Sequence, residues 1–256
     1  MRHVLSNGGR EILAQMAWSK VLLGFDFDGT LAPIVTDPAA ATMPRAHRAR
    51  LVAVAQRYPC VVVSGRSRLD VAARVEGVTL VGVIGNHGLE PGRGLRRLER
   101  MVRTWLPSLR SALSPIPGVA IEDKGCSLAV HYRRSRAKRH ARDCILRAIA
   151  ELPDAARVIG GKCVLNVLPP GAPHKGTAVE AARVAASADT VVYVGDDETD
   201  EDVFALESPG RLLGVRVGQS ARSQASYYLR NQREVADLLD VLVDLRPSAQ
   251  SHRRDV

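Results

Sequence analysis

Apolar residues along this chain fall into short, dense runs, and each run stops at a polar or glycine-rich turn. Residues 21–27 end in carboxylates, residues 60–63 end at Ser64-Gly65-Arg66, and residues 80–84 end at Gly85-Asn86-His87-Gly88. A fourth run, residues 190–194, ends at Gly195-Asp196-Asp197. Continuous runs of this length predict strands buried on both faces. Between them, residues 45–57 and 175–186 read as helices, so strand and helix alternate as in a doubly wound parallel α/β sheet. Ligands of such sheets bind outside the carboxyl ends of the strands. All four polar clusters are expected on that edge.

The middle third has a different rhythm. A helical pattern covers residues 98–113, an alternating segment residues 127–133, and a second helix residues 136–152. Short strands follow at 156–159 and 163–168, bounded by Pro169-Pro170-Gly171. This order predicts a small inserted α+β cap with helices on one face of an open sheet. The expected division is core residues 1–90, cap 91–172 and core again 173–256. The polar segment 246–256 is expected to fray.

Composition narrows the class. With 46% hydrophobic and 25% charged residues the chain reads as a globular enzyme rather than a disordered or fibrous protein. No stretch approaches the roughly 18 consecutive apolar residues of a spanning helix, and no leader-like apolar segment opens the chain, so a cytoplasmic protein without membrane attachment is expected. Cys60, Cys126, Cys144 and Cys163 form no C-x-x-C pair and suggest neither zinc nor a disulfide framework. The formal charge of +9 is uneven: residues 91–172 carry sixteen Lys and Arg against six Asp and Glu, leaving about −1 elsewhere. Such a block attracts anions of any kind, or is simply a solvated face. Trp18 and Trp105 make no stacking array for nucleic acid. A binding protein working through the basic segment would leave the acidic clusters without a purpose.

Those clusters carry the candidate chemistry. In an extended chain Asp26 and Asp28 would share one face, and two close carboxylates call for a cation between them. Magnesium suits hard oxygen ligands and tolerates a phosphate in its octahedron. Asp196, nearest its strand end, is the matching candidate ligand; the other acids through Asp202 either support the site or start a helix. Lys175, at a helix start, can hold a phosphoryl oxygen and the carboxylate together. Ser64 offers a hydroxyl beside backbone amides.

Taken in order, Asp26-Phe27-Asp28-Gly29-Thr30, Ser64, Lys175 and Gly195-Asp196-Asp197 resemble the four motifs of the haloacid dehalogenase superfamily. More narrowly, Ser64-Gly65-Arg66, residues 85–88, residues 124–133 and residues 195–202 resemble the trehalose-phosphate phosphatases. The resemblance implies that Asp26 is the nucleophile and Asp28 the general acid and base. It implies magnesium held by Asp26, the Asp28 backbone carbonyl and Asp196, with Ser64 and Lys175 positioning the phosphoryl group. Asp200 is then assigned to Lys175 or to the metal's waters, and Asp197 to support or to a helix start.

Candidate substrate contacts by the same resemblance are Glu122, Lys124, Arg133 and Lys162 in the cap, with Arg66 and His87 in the core loops. A structural role is the plainer reading of His87. Asn166 stands where the family usually has glutamate, and it offers a hydrogen-bonding amide in place of two anionic oxygens. The expected substrate is a small sugar phosphate, trehalose 6-phosphate first and a related glycosyl or pseudo-disaccharide phosphate next. A sugar phosphomutase is the alternative within the superfamily. No nucleic-acid partner is expected, and a monomer is the default.

Overall fold

The computed structural model describes residues 1–92, 94–161, 163–206 and 211–246. Lys162 and the polar end after Arg246 lie outside the described residues. The strands are β1 (Arg2–His3), β2 (Val21–Phe25), β3 (Cys60–Val63), β4 (Gly82–Ile84), β5 (Ala120–Asp123), β6 (Leu128–His131), β7 (Arg157–Gly161), β8 (Val164–Leu168), β9 (Thr190–Gly195), β10 (Leu212–Val217) and β11 (Tyr227–Leu229). The helices are α1 (Asn7–Ala17), α2 (Arg45–Ala55), α3 (Arg68–Arg74), α4 (Leu95–Leu113), α5 (Lys138–Ala150), α6 (Lys175–Ala185), α7 (Glu201–Phe204) and α8 (Glu234–Leu245). Two compact units result: Met1–Gly88 with the chain from Lys175 onward, and Leu89–His174. These boundaries lie two residues from the expected 90/91 and 172/173.

The larger unit is a parallel seven-stranded sheet of order β1-β11-β10-β9-β2-β3-β4. Side chains of its central strands alternate between two apolar layers, as strand geometry requires. Leu23, Phe25, Val62, Val192 and Val194 join Leu13, Leu51 and Leu238 from α1, α2 and α8. Leu22, Val61, Val63, Val191 and Tyr193 join Val179 of α6 and Phe204 of α7. Both faces are covered, so β2 and β3 are buried along their whole length. The chain winds outward from β2 through β3 to β4, then restarts at β9 on the other side of β2 and continues to β10 and β11. The order therefore reverses between β2 and β9, which is where open α/β sheets form their ligand crevice.

The smaller unit is an antiparallel sheet of order β5-β6-β8-β7. Trp105 and Leu109 of α4 and Ala141 and Ile145 of α5 pack with Val130, Leu165 and Val167, so both helices cover one face. Ala129 pairs with Asn166 and with Glu122, which puts all three in one row on the helix-free face.

Seven elements were not read from the sequence: β1, α1, α3, β5, β10, β11 and α8. β2 also stops at Phe25, one residue short of Asp26. Asp26 and Asp28 thus lie beyond the strand on which they were expected to share a face: Phe27 is in a turn and Asp28 bridges to Ala32.

The amino end is tied down by a side-chain contact to α8. The His3 ring lies 2.8 Å from Glu234 of α8, and the Arg230 backbone N–H donates to the same carboxylate oxygen at 2.7 Å. Burial pushes the Glu234 carboxyl up, but these donors outweigh it and hold the group below its ordinary value. A carboxyl depressed by folding contributes its full stability above its unfolded pKa of about 4.3 and loses it as pH falls through the folded value. Glu234→Gln is expected to lower stability by about 1–2 kcal/mol at neutral pH, read from the urea midpoint. The difference from wild type should shrink as the buffer is taken below pH ~4.

Candidate active site

Three strand ends and one helix start converge at the reversal between β2 and β9. Phe25 pairs with Val194 on one side and Val62 on the other, so Asp26, Asp196 and Ser64 leave neighbouring strands close to one level. The Asp26 N–H donates to the Val194 carbonyl at 2.8 Å, and the residue is buried at 4% exposure.

Lys175, the first residue of α6, is 2% exposed and donates from Nζ to Asp26 Oδ1 at 2.7 Å and to Asp200 Oδ1 at 2.8 Å. Tyr193 of β9 donates its hydroxyl to the same Asp200 oxygen at 2.7 Å. The other Asp200 oxygen accepts the backbone N–H groups of Asp196 and Asp197, each at 2.9 Å. Asp200 is fully buried and holds four donors, which occupies the lone-pair sites of a carboxylate.

Electrostatics follow from that packing. Burial raises Asp26 well above the ordinary carboxylate range; Lys175 pulls it back, while Asp200 and Asp196 push it further up. Burial works against the Lys175 charge, yet Asp200 and Asp26 hold its pKa far above the ordinary value. Lys175 is therefore a fixed cation at neutral pH.

One oxygen from each of Asp26, Asp196 and Asp200 lies within 4.8 Å of the others. Two glycines make the cluster fit. Gly29 has φ +85°, and a Cβ there would lie 2.2 Å from Asp196 Oδ2; a Cβ on Gly195 would lie 2.5 Å from Asp200 Oδ2. Hard carboxylate oxygens in a cradle that a methyl group would fill suit a small divalent cation. With Asp200 occupied by its four donors, Asp26 and Asp196 are the carboxylates better placed to ligate it.

Ser64 is fully buried; its Oγ accepts the Arg66 N–H at 3.2 Å. The loop at Asn86 and His87, both with positive φ, grips this turn: the His87 N–H donates to the Ser64 carbonyl and the Asn86 N–H to the Arg66 carbonyl. The His87 ring lies against Gly65, where an added Cβ would come within 2.4 Å of it. Both Asp28 oxygens accept from the Arg66 guanidinium, at 2.7 and 2.8 Å. Asp197 accepts the Glu198 N–H at 2.8 Å and starts the short helical turn there.

In the smaller unit, Glu122 pairs with His131 at 2.8 Å. Asn166 is 6% exposed, while Glu122 and Arg133 are exposed and Lys124 is half-buried. Lys162 lies outside the described residues. Sequence reasoning missed Tyr193, which it read as one more apolar strand residue; the signal was a polar atom inside a run that both faces bury.

A trehalose-phosphatase family model matches residues 24–232. The chain belongs to the trehalose-phosphatase family. A probable trehalose-phosphate phosphatase of Oryza sativa subsp. japonica is 31% identical over 94% of this chain and 71% of its own length. A trehalose-phosphate phosphatase of Mycolicibacterium paratuberculosis is 36% identical over 75% of this chain, but over only 53% of that longer protein. Among solved structures, the trehalose-6-phosphate phosphatase of Aspergillus fumigatus superposes with TM-score 0.64 at 25% identity, covering 95% of this chain and 99% of that one. The C-terminal domain of the C. albicans enzyme gives TM-score 0.73 at 21% identity, covering 95% and 98%, and supports the shared fold. The matched segment contains Asp26, Ser64, Lys175, Asp196 and the whole smaller unit. Among the described residues no helix is long and apolar enough to cross a membrane.

Proposed function

We propose that the chain is a magnesium-dependent phosphatase that hydrolyses the phosphate monoester of a sugar, trehalose 6-phosphate first, through an aspartyl phosphate on Asp26. The observation that carries this reading is the Lys175 bridge between Asp26 and Asp200 beside Asp196. A buried carboxylate held in one orientation by a fixed cation is prepared for in-line attack.

In this reading Asp26 attacks phosphorus and the bond to the sugar oxygen breaks. Asp28 gives that oxygen a proton, then takes one from the water that cleaves the aspartyl phosphate, and inorganic phosphate leaves. Ser64 and Lys175 fix the phosphoryl oxygens. Asp26, the Asp28 backbone carbonyl and Asp196 would hold magnesium, which when bound would supply positive charge against those oxygens. For the sugar, Glu122, Lys124, Arg133 and Asn166 offer matched donors and acceptors, since an unmatched polar group on burial costs about 1–3 kcal/mol. The basic smaller unit favours an anionic small molecule by charge alone.

Phosphate release measured across trehalose 6-phosphate, monosaccharide phosphates and other disaccharide phosphates tests the assignment. Trehalose 6-phosphate is expected to give the highest kcat/KM, with free phosphate accumulating. A flat profile would remove the disaccharide from the assignment, and phosphate returned to sugar would make the chain a mutase.

A further inference from the structure

The family resemblance makes Arg66 a substrate contact, but its guanidinium is already committed. Nε and one terminal nitrogen clamp the two oxygens of Asp28 at 2.7 and 2.8 Å. That terminal nitrogen also donates to the Pro38 carbonyl at 2.8 Å, and the other donates to Asp70 Oδ2 at 2.9 Å. Four of the five N–H donors of an arginine are thereby used. The guanidinium carbon lies 5.7 Å from the centre of the Phe27 ring. Its backbone is held too, by the Ser64 Oγ and by the Asn86 N–H.

The anchors are themselves anchored. Asp70 accepts from Arg74 Nε at 3.0 and 3.1 Å, and Arg74 reaches the carbonyls of Ala39 and Ala41 in the same segment that Arg66 touches at Pro38. Among the described residues, only Arg66 hydrogen-bonds the Asp28 carboxylate. Asp28 sits in the turn after β2 with its side chain 37% exposed, against 13% for Arg66. A carboxylate there would sample several rotamers, whereas a two-point guanidinium fork fixes both its oxygens and its plane.

We infer that Arg66 is a positioning residue for Asp28, holding that carboxylate where it exchanges a proton with the scissile oxygen and then with water. This rests on the phosphatase reading given above. The fork uses one lone-pair site on each Asp28 oxygen and leaves the second for the travelling proton. Arg66 therefore acts on the reaction through Asp28, and Asp70 and Arg74 act through Arg66.

The test compares two substrates whose leaving groups differ in their need for a proton. The sugar of trehalose 6-phosphate departs as an alkoxide unless it is protonated; p-nitrophenolate departs unaided. Because kcat/KM reports steps only through departure of the leaving group, it isolates the proton donation. Arg66→Ala is expected to lower kcat/KM for trehalose 6-phosphate by about a hundredfold and for p-nitrophenyl phosphate by less than about tenfold, with free guanidinium restoring part of the first loss. Arg66→Lys, which keeps the charge without the fork, is expected to show the same substrate-selective loss, and it carries the comparison if the alanine variant does not fold. Equal losses on both substrates would place Arg66 on the phosphoryl group and overturn the inference, as would no loss on either. A wild-type chain that releases phosphate from neither substrate, or an Asp26→Asn variant that still does, removes the phosphatase reading before any Arg66 variant is considered.

Discussion

Asp26→Asn is expected to lower phosphate release from trehalose 6-phosphate by on the order of 10⁴-fold or more, because an amide cannot form the covalent intermediate. The same variant is expected to be at least as stable as wild type without magnesium. Asp26, Asp196 and Asp200 cluster three carboxylates while one ammonium, Lys175, pairs with two of them; burial raises Asp26 most, Lys175 pulls it back, and Asp200 and Asp196 push it further up. A carboxyl whose folded pKa is raised makes the fold less stable as pH climbs above its unfolded value of about 3.9 and through the folded value. Asparagine removes that cost and keeps an oxygen for Lys175, which also retains Asp200 at 2.8 Å. Magnesium reverses the comparison. A ligand that binds only the folded state adds about 2.7 kcal/mol at a hundred times its Kd, so wild type should gain more in Tm on addition of magnesium than Asp26→Asn does. Chelator should abolish both the gain and the turnover. Turnover surviving the substitution would overturn the mechanism, and equal magnesium gains in the two proteins would remove Asp26 from the metal site.

How much of this was legible in the sequence depends on the range of the interaction. Asp26, Ser64 and Asp196 could be found because strands buried on both faces are written as unbroken apolar runs, and the residue after each run lies at the sheet edge. Lys175 was offered by its place at a helix start, and the resemblance to a known family added the roles. Neighbourhood in space was another matter. Nothing local says that β9 pairs with β2 at residues 190–194 and 21–25, yet that pairing brings the two acidic clusters together.

The failures have the same origin. Asp28 was placed by strand period, but β2 ends before it and its carboxylate goes to Arg66, thirty-eight residues away. Tyr193 looked apolar because its ring is; its hydroxyl counts only through Asp200, seven residues on. β5 escaped because Ala120-Ile121-Glu122-Asp123 is largely exposed and has no apolar alternation, so β6 supplies its order through pairing. Asp197 could be read as site or as helix start from composition alone, and the Glu198 N–H it accepts at 2.8 Å makes it a helix cap in this structure.

Asp200 is where fold and chemistry are hardest to separate, and Asp200→Asn should damage both. The carboxylate accepts Lys175 and Tyr193 on one oxygen and two backbone N–H groups on the other. An asparagine of the same shape has one acceptor oxygen and one donor nitrogen. Turned so that its NH₂ faces the Asp196 and Asp197 amides, it sets donors against donors. Turned the other way, the NH₂ meets the Lys175 ammonium, which has no acceptor to offer; only the Tyr193 hydroxyl can adapt. Either way buried donors are set against donors, a conflict that Asp26→Asn avoids because its amide oxygen still faces Lys175. Each buried donor left unsatisfied costs about 1–3 kcal/mol, so chemical denaturation should show a loss of at least about that size. Lys175 would then no longer hold Asp26 in a single orientation, and kcat should fall by about 10²–10³. Tyr193→Phe is the graded control: it deletes one of the four donors and leaves Lys175 paired, so the expected loss of stability is about 1 kcal/mol. An Asp200→Asn protein with unchanged denaturation and undiminished kcat would show that the four-donor arrangement does not position Lys175.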